Sequence, residues 1–308
     1  MKYLLLDFGA SFIKCCQYDT DTDQIENVIN IESPFLYSDK INLESLISLI
    51  ESILARYPEC KRVMSCSILG GEWISNVYYS WKCLSKPSKP DCLISGIFSN
   101  QETYHIHESH GGNSKGIKKL GFIKDVLFYS SLYDTYCVVE SLDLKDNQYI
   151  VNIGTGSQVI SRDKTHKYIP AGRALNVFAK FFSSLGVDFF QELSKITTEA
   201  CIKSSLIVDL NVFEQSHMYE QGGWIGLINE NNFTLENLLS SILKSLVLQY
   251  KPFIENENNS LILTGGIPEK LLVIKKLFEH YYKNPIILST SDASTHIGLS
   301  KLISKIKG

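Results

Sequence analysis

The stretch YLLLDFGASFIKCCQYD (Tyr3–Asp19) holds two apolar runs on either side of a short turn. Leu4-Leu5-Leu6 stops at an acidic residue, Asp7. Phe8-Gly9-Ala10-Ser11 follows, and Phe12-Ile13-Lys14-Cys15-Cys16 opens the second run. Two such runs joined by a tight Gly-containing turn predict a β-hairpin, with strands over Tyr3–Leu6 and Ile13–Tyr18. The turn has two readings. A tight reversal needs Gly on backbone grounds alone. A Gly turn also points several N–H groups into one concavity, which binds anions, and Ser adds a hydroxyl donor.

The pattern returns in the second half. Tyr149–Ile153 is apolar, Gly154-Thr155-Gly156-Ser157 is a turn of small residues, and Gln158–Ser161 predicts the next strand. The duplication is one of pattern, not of residue identity. A third strand, Ser260–Thr264, runs into Gly265-Gly266. Each turn alone is satisfied by plain chain reversal. Their order, and the Asp ahead of the first, point jointly to phosphate. An Asp beside a triphosphate is repelled unless Mg2+ stands between them, so Asp7 suggests a metal–nucleotide ligand.

Around these landmarks, Ile25–Ile31 alternates as a third strand. Asn42 and Leu43 open a helix with Leu46, Ile47, Leu49, Ile50, Ile53 and Leu54 at helical spacing. Val63–Leu69 reads as a buried strand ending in Gly70-Gly71. Pro87–Pro90 breaks the chain, and Cys92–Phe98 is a short apolar run. Asn113–Leu120 predicts a basic helix capped by Gly121, Asp125–Ser131 a strand and Thr135–Leu142 a helix. The charged run Asp143–Asn147 reads as a linker, giving domains over residues 1–145 and 146–308. Further helices are expected over Val177–Glu192, Leu235–Tyr250 and Ala293–Lys305, with a last strand at Ile286–Ser289.

At 308 residues the chain suits two packed domains. Its 44% hydrophobic content is that of a globular protein, and a net charge of −3 gives no basic face for nucleic acid. No apolar stretch approaches the roughly 20 residues that span a bilayer, and Asp7 cuts off a signal-peptide core, so no membrane partner and a cytoplasmic location are expected. Eight scattered cysteines without a CxxC pair read as reduced, packed thiols. His105-x-His107-x-x-His110 is the only metal-like spacing, but in a polar loop it is not expected to hold a metal, and a substrate-facing role suits it better.

With these residues in view, the chain resembles the actin/hexokinase/heat-shock ATPase superfamily, and within it the FGGY carbohydrate kinases. LDFGASFIK (Leu6–Lys14) looks like the first phosphate motif, VNIGTGSQV (Val151–Val159) like the second, and LILTGGIPEK (Leu261–Lys270) like the adenosine motif. GGWIGLINENNFTLENLL (Gly222–Leu239) is similar to the segment before a second-domain helix in those kinases. STSDASTHIGLSKL (Ser289–Leu302) is similar to the start of their closing helix, and IPAGRALNVFAKFF (Ile169–Phe182) to the sedoheptulokinase branch.

The resemblance implies an α/β fold of two ribonuclease-H-like (actin-like ATPase) domains with a cleft between them. It implies ATP and Mg2+ as cofactors and a sugar or polyol as substrate; a homodimer is left open. Asp7 would bind Mg2+ through water, Gly9 and Ser11 would face the phosphates, and Lys14 matches a basic position of the motif, unless it is a solvated strand residue. Gly154, Thr155 and Gly156 would face the phosphates from the second domain, and Gly265 and Gly266 would pack on adenine and ribose. Asp134 stands where these kinases carry their general base, against the alternative of a helix N-cap. Glu72 and Trp73 fall where they contact sugar, against a core role for Trp73. The chain departs from the family in being shortened between about Trp81 and Asn100, where the W-x-D-x-R segment is not recognisable, and in carrying Tyr133 rather than Gly before the base. ATP-dependent phosphorylation of a sugar hydroxyl is the function implied. An actin- or chaperone-like ATPase, and a degenerate kinase fold that only binds nucleotide or sugar, stand as alternatives.

Overall fold

Alternation along the first strand, β1 (Lys2–Phe8), sorts its side chains between two cores. Leu4, Leu6 and Phe8 enter one hydrophobic cluster, and Tyr3 and Leu5 the other, so the sheet is covered on both faces. The computed structural model describes residues 1–9, 11–67, 71–80, 93–98, 117–161, 165–213, 222–289 and 294–307. The chain divides into two units, Met1–Asp143 with Ala293–Gly308, and Leu144–Asp292. The sequence-based boundary at 145/146 and this division differ over one element, the C-terminal helix (Ser294–Lys307), which packs in the first unit.

In the first unit β1 pairs antiparallel with β2 (Phe12–Asp19), and β2 with β3 (Gln24–Glu32). A short strand β4 (Lys40–Asn42) leads into α1 (Leu43–Leu54), where the Asn42 side chain accepts a hydrogen bond from the Ser45 amide as N-cap. The crossover returns the chain as β5 (Arg62–Ser67), parallel to β1. A hairpin follows, β6 (Glu72–Ile74) and β7 (Val77–Tyr79), closed by Ser75 and Asn76 with positive φ (45° and 58°), as a type I′ turn requires. Next come α2 (Leu93–Phe98), β8 (Lys119–Ile123), β9 (Val126–Tyr129), β10 (Leu132–Tyr133) and α3 (Asp134–Leu142). The main sheet runs β3-β2-β1-β5-β9-β8, with β10 also parallel to β5. Helix α1 covers one face through Leu46, Ile50 and Ile53. The other face takes Cys137 of α3 and Leu299, Leu302 and Ile303 of the C-terminal helix.

One expectation fails here. In place of the helix over Asn113–Leu120 capped by Gly121, residues from Lys119 to Ile123 form β8, and Gly121 lies inside it beside a register shift. The hairpin closes through Lys124 at φ 53°, so its turn carries none of the Gly or Asn that usually marks such a reversal. Residues 113–116 lie outside the described residues.

The second unit repeats the topology. It holds β11 (Gln148–Ile153), β12 (Ser157–Ile160), β13 (Thr165–Ile169), α4 (Gly172–Ser184), α5 (Phe189–Ser194) and α6 (Thr198–Lys203). Then follow β14 (Ile207–Val208), β15 (Ile225–Gly226), α7 (Leu235–Leu248), β16 (Ser260–Thr264), α8 (Gly266–Lys270), α9 (Leu272–Tyr281) and β17 (Ile286–Leu288). The five-stranded sheet runs β13-β12-β11-β16-β17, antiparallel through the first three strands and parallel from β11 onward. Both units therefore share the strand order 3-2-1-4-5 of a ribonuclease-H-like domain. The single helix expected over Val177–Glu192 is two helices. Gly186 takes φ 74° after α4, and Asp188 caps α5 by accepting from the Gln191 amide at 3.1 Å. Among the described residues no helix is long and apolar enough to cross a membrane.

Candidate functional site

In the first unit, three parallel strands deliver sequence-predicted residues to one edge of the sheet. Asp7 pairs in register with Cys66, and Phe8 with Ser67. On the other side of β5, Leu132 pairs with Cys66 and Tyr133 with Ser67. Asp134, the next residue, thus leaves the same edge two strands from Asp7. The C-terminal ends of parallel strands are where α/β sheets bind ligands.

Asp7 is buried and is held by neutral donors. Thr295 Oγ1 donates to Oδ2 at 2.9 Å, and Cys66 Sγ donates to Oδ1 at 3.5 Å. Burial pushes the Cys66 thiol well above its ordinary value; hydrogen bonding to Cys137 and the charges of Asp7 and Asp134 add to this, so it stays a protonated donor. A buried carboxylate whose donors, among the described residues, are neutral suits a divalent cation approaching through water. Among the described residues no three His, Cys, Asp or Glu side chains cluster as a metal cage. Mg2+ held by one carboxylate, water and phosphate oxygens needs no such cage.

The turn beyond Asp7 is shaped by Gly9, whose amide donates to the Phe12 carbonyl at 3.0 Å. A Cβ there would stand 2.8 Å from that same oxygen. Ser11 gives its carbonyl to the Ser33 amide, tying the turn to the end of β3. Lys14 lies opposite Asp7 in the β1–β2 register. Its carbonyl accepts from His296 Nε2 at 3.2 Å, which fixes the tautomer with the proton on Nε2. His296 Nδ1 is buried with no hydrogen-bond partner among the described residues.

Asp134 is not the cap itself. Tyr133 holds the N-cap position, and Asp134 is the first helical residue, its Oδ1 accepting from the Thr135 amide at 2.6 Å and the Thr135 hydroxyl at 3.2 Å. An acid in the first turn is favoured by the helix dipole whatever else it does. Trp73 packs against the core of the first unit, meets Tyr78 edge-on at 5.5 Å, and presses its indole edge on Gly96. Trp73 Nε1 and Ser67 Oγ are both buried without hydrogen-bond partners among the described residues. Glu72 pairs with Tyr79 across the β6–β7 hairpin. The His105–His110 group, Ala10, Gly70 and the break at Pro87–Pro90 lie outside the described residues. The six described cysteines are free and buried, as packed thiols should be.

In the second unit the Gly154–Gly156 turn has its carbonyls occupied. Gly154 O accepts from Gly172 N at 2.9 Å, Thr155 O from Arg173 N at 2.7 Å, and Gly156 O from Gly154 N at 2.9 Å. Among the described residues the Thr155 and Gly156 amides donate to no backbone carbonyl. A turn with spent acceptors and open donors has the polarity that attracts anions. Helix α4 comes close enough for this only because its first residue is Gly172, where a Cβ would stand 2.7 Å from Gly154 O. Below the turn, Tyr250 donates to Ser157 Oγ at 2.7 Å, and Ser157 donates to Asn152 O at 2.7 Å. The parallel pairing of β11 with β16 sets Asn152 beside Thr264, so Gly265 adjoins the base of the same turn. Gly265 has φ 97°, and a Cβ on it would fall 2.6 Å from Ile153 O.

Sequence reasoning missed Thr295, Cys66 and Gly172. The helix start at Ser294–Thr295 was visible as motif, but nothing local says which strand a hydroxyl there will reach.

No family model matches the chain, and no curated protein does. Solved structures match over nearly its whole length. Against the ligand-bound xylulose kinase from Lactobacillus acidophilus the TM-score is 0.68 at 10% identity, covering 99% of this chain and 89% of that one. Against the gluconate kinase from Lactobacillus acidophilus it is 0.68 at 11%, covering 100% and 89%. The activator of 2-hydroxyisocaproyl-CoA dehydratase from Clostridium difficile, with bound ADPNP, gives 0.52 at 12%, covering 100% and 96%. At such identity the likeness is one of architecture: this chain has the α/β, actin-like ATPase fold on which xylulose and gluconate kinases are built.

Proposed function

We propose that the protein phosphorylates a hydroxyl of a sugar or polyol with Mg-ATP. The observation that supports this most is the shared edge of β1, β5 and β10, from which Asp7 and Asp134 both emerge in a fold common to sugar kinases. Phosphoryl transfer is mostly positioning and charge neutralisation. In this reading Asp134 accepts the proton of the attacking hydroxyl, and Thr135 holds its Oδ1 so that the carboxylate keeps one orientation. Mg2+ would be held by Asp7 through water, and when bound it neutralises phosphate charge. Gly9, Ser11 and Lys14, with the open amides of Thr155 and Gly156, serve the phosphates, and Gly265 and Gly266 serve the adenosine. Glu72 would accept hydroxyl hydrogen bonds, and Trp73 would stack on a sugar face.

The test is ADP release measured against a panel of ketoses, heptoses and polyols, heptoses being included for the resemblance at Ile169–Phe182. Sugar-dependent release supports a kinase. Sugar-independent turnover points instead to an ATPase, a reading kept open by the fold shared with the dehydratase activator. A Tm rise with Mg-ATP and no turnover on any polyol would mark a binding module. Asp134→Asn should abolish transfer while leaving nucleotide affinity within about twofold (roughly 0.4 kcal/mol); surviving transfer sinks the assignment of the base.

A further inference from the structure

The C-terminal helix begins against the β1–β2 hairpin. Thr295 and His296, both buried, stand in its first turn and reach two different strands of the hairpin. Thr295 Oγ1 donates to Asp7 Oδ2 on β1, and His296 Nε2 donates to the Lys14 carbonyl on β2, residues that face each other in register. The two carboxylate oxygens of Asp7 are thus engaged from opposite neighbours: Oδ2 by the hydroxyl at 2.9 Å, Oδ1 by the weaker thiol donor of Cys66 at 3.5 Å. Each carboxylate oxygen carries two acceptor sites. One site on each is taken, which fixes the rotation of the carboxylate and leaves the others for water.

From this geometry we infer that Thr295 is the positioning residue of Asp7, and that its hydroxyl sets the orientation in which Asp7 receives hydrated Mg2+. The inference rests on the functional reading above and assigns Thr295 no contact with nucleotide or substrate. A hydrogen bond to a charged acceptor is worth more than one between neutral groups, and a buried carboxylate deprived of it loses both solvation and alignment. The thiol cannot replace the hydroxyl, being a weak donor already committed to the other oxygen.

Thr295→Val keeps the shape and removes the donor, and Thr295→Ser keeps the donor. Binding of ADP to the full-length protein is measured calorimetrically over a Mg2+ series and again in EDTA. Thr295→Val should need about tenfold more Mg2+ than wild type, with metal-free ADP affinity within about twofold, and Thr295→Ser should restore the wild-type requirement. A second measurement needs no nucleotide. In a double-mutant cycle of Asp7→Asn and Thr295→Val, urea unfolding should show non-additive losses, because the two side chains share one bond. Additive losses overturn the inference. So does an unchanged Mg2+ requirement in Thr295→Val, or a Thr295→Ser variant as impaired as Thr295→Val. Wild-type protein whose ADP binding ignores Mg2+ overturns the functional reading, and this inference with it, even where the cycle shows coupling.

Discussion

Gly298 of the C-terminal helix rests on the backbone carbonyl of Cys137 in α3 so closely that a Cβ has no place to go. The obstructing atom is helix backbone, not the tip of a flexible side chain, so it cannot step aside.

Replacing Gly298 with Ala therefore sets two effects against each other. Helix propensity favours Ala by about 1 kcal/mol. Overpacking of a tight interface costs about 1–3 kcal/mol and occasionally more, and here the neighbour is rigid. The expected net outcome is a loss of about 2 kcal/mol, read as a lower urea midpoint at unchanged m-value. A midpoint equal to or above wild type would show that the helices have slack.

Burial lowers the pKa of His296, against the opposing pull of the Asp7 charge and the Lys14 carbonyl. The unfolded chain takes up the imidazole proton near pH 6.5, whereas the folded chain resists it to lower pH. Stability from this group is thus fully present above about pH 6.5 and is lost as pH falls below it, by up to about 1.4 kcal/mol per pH unit. His296→Gln keeps an N–H donor for Lys14 O and removes the titration. Its unfolding free energy, measured from pH 7.5 to 5, should fall less steeply than wild type; parallel curves would refute the assignment.

These two residues mark where sequence reading stops. The strands at Tyr3–Leu6, Ile13–Tyr18 and Tyr149–Ile153 were legible because alternation and Gly turns are local signals, and β1, β2 and β11 lie there. Asp134 at a helix start was legible for the same reason. β8 was not, because Lys115, Lys118 and Lys119 lead into it as a basic run that also suits a helix, and its turn uses Lys124 rather than Gly. The break between α4 and α5 was written in Gly186 and Asp188, but the aromatic run Phe178–Phe190 keeps helical spacing across it. Thr295 and Asp7 are 288 positions apart, and no periodicity reports which long-range partner a hydroxyl will find.

Tyr250 is fully buried, and its hydroxyl donates to Ser157 Oγ beneath the Gly154–Gly156 turn. Tyr250→Phe removes that donor yet leaves Ser157 donating to Asn152 O. The cost should be near that of one neutral hydrogen bond, about 1 kcal/mol. Because the lost bond braces the β11–β12 connection, amide exchange there should accelerate more than in α9. Uniform acceleration across the unit would mean that Tyr250 contributes only bulk packing.

Gly265 and Gly186 separate backbone strain from collision. Gly186 has φ 74° and open space where a Cβ would go. Ala there should cost only the left-handed conformation, about 1–2 kcal/mol. Gly265 sits at φ 97° and ψ 162°, a region essentially restricted to Gly. Its Cβ would also stand 2.6 Å from Ile153 O and 2.8 Å from Asn152 Oδ1. Relief requires β16 to part from the end of β11, the strand that carries the Gly154–Gly156 turn. Gly265→Ala should therefore lose about 3 kcal/mol or more of stability, beyond the loss at Gly186. It should also weaken ADP binding at least tenfold (about 1.4 kcal/mol), while Gly186→Ala binds ADP like wild type. Equal stability losses at the two positions would mean that the collision relaxes freely. Normal ADP binding by Gly265→Ala would remove this turn from the nucleotide site.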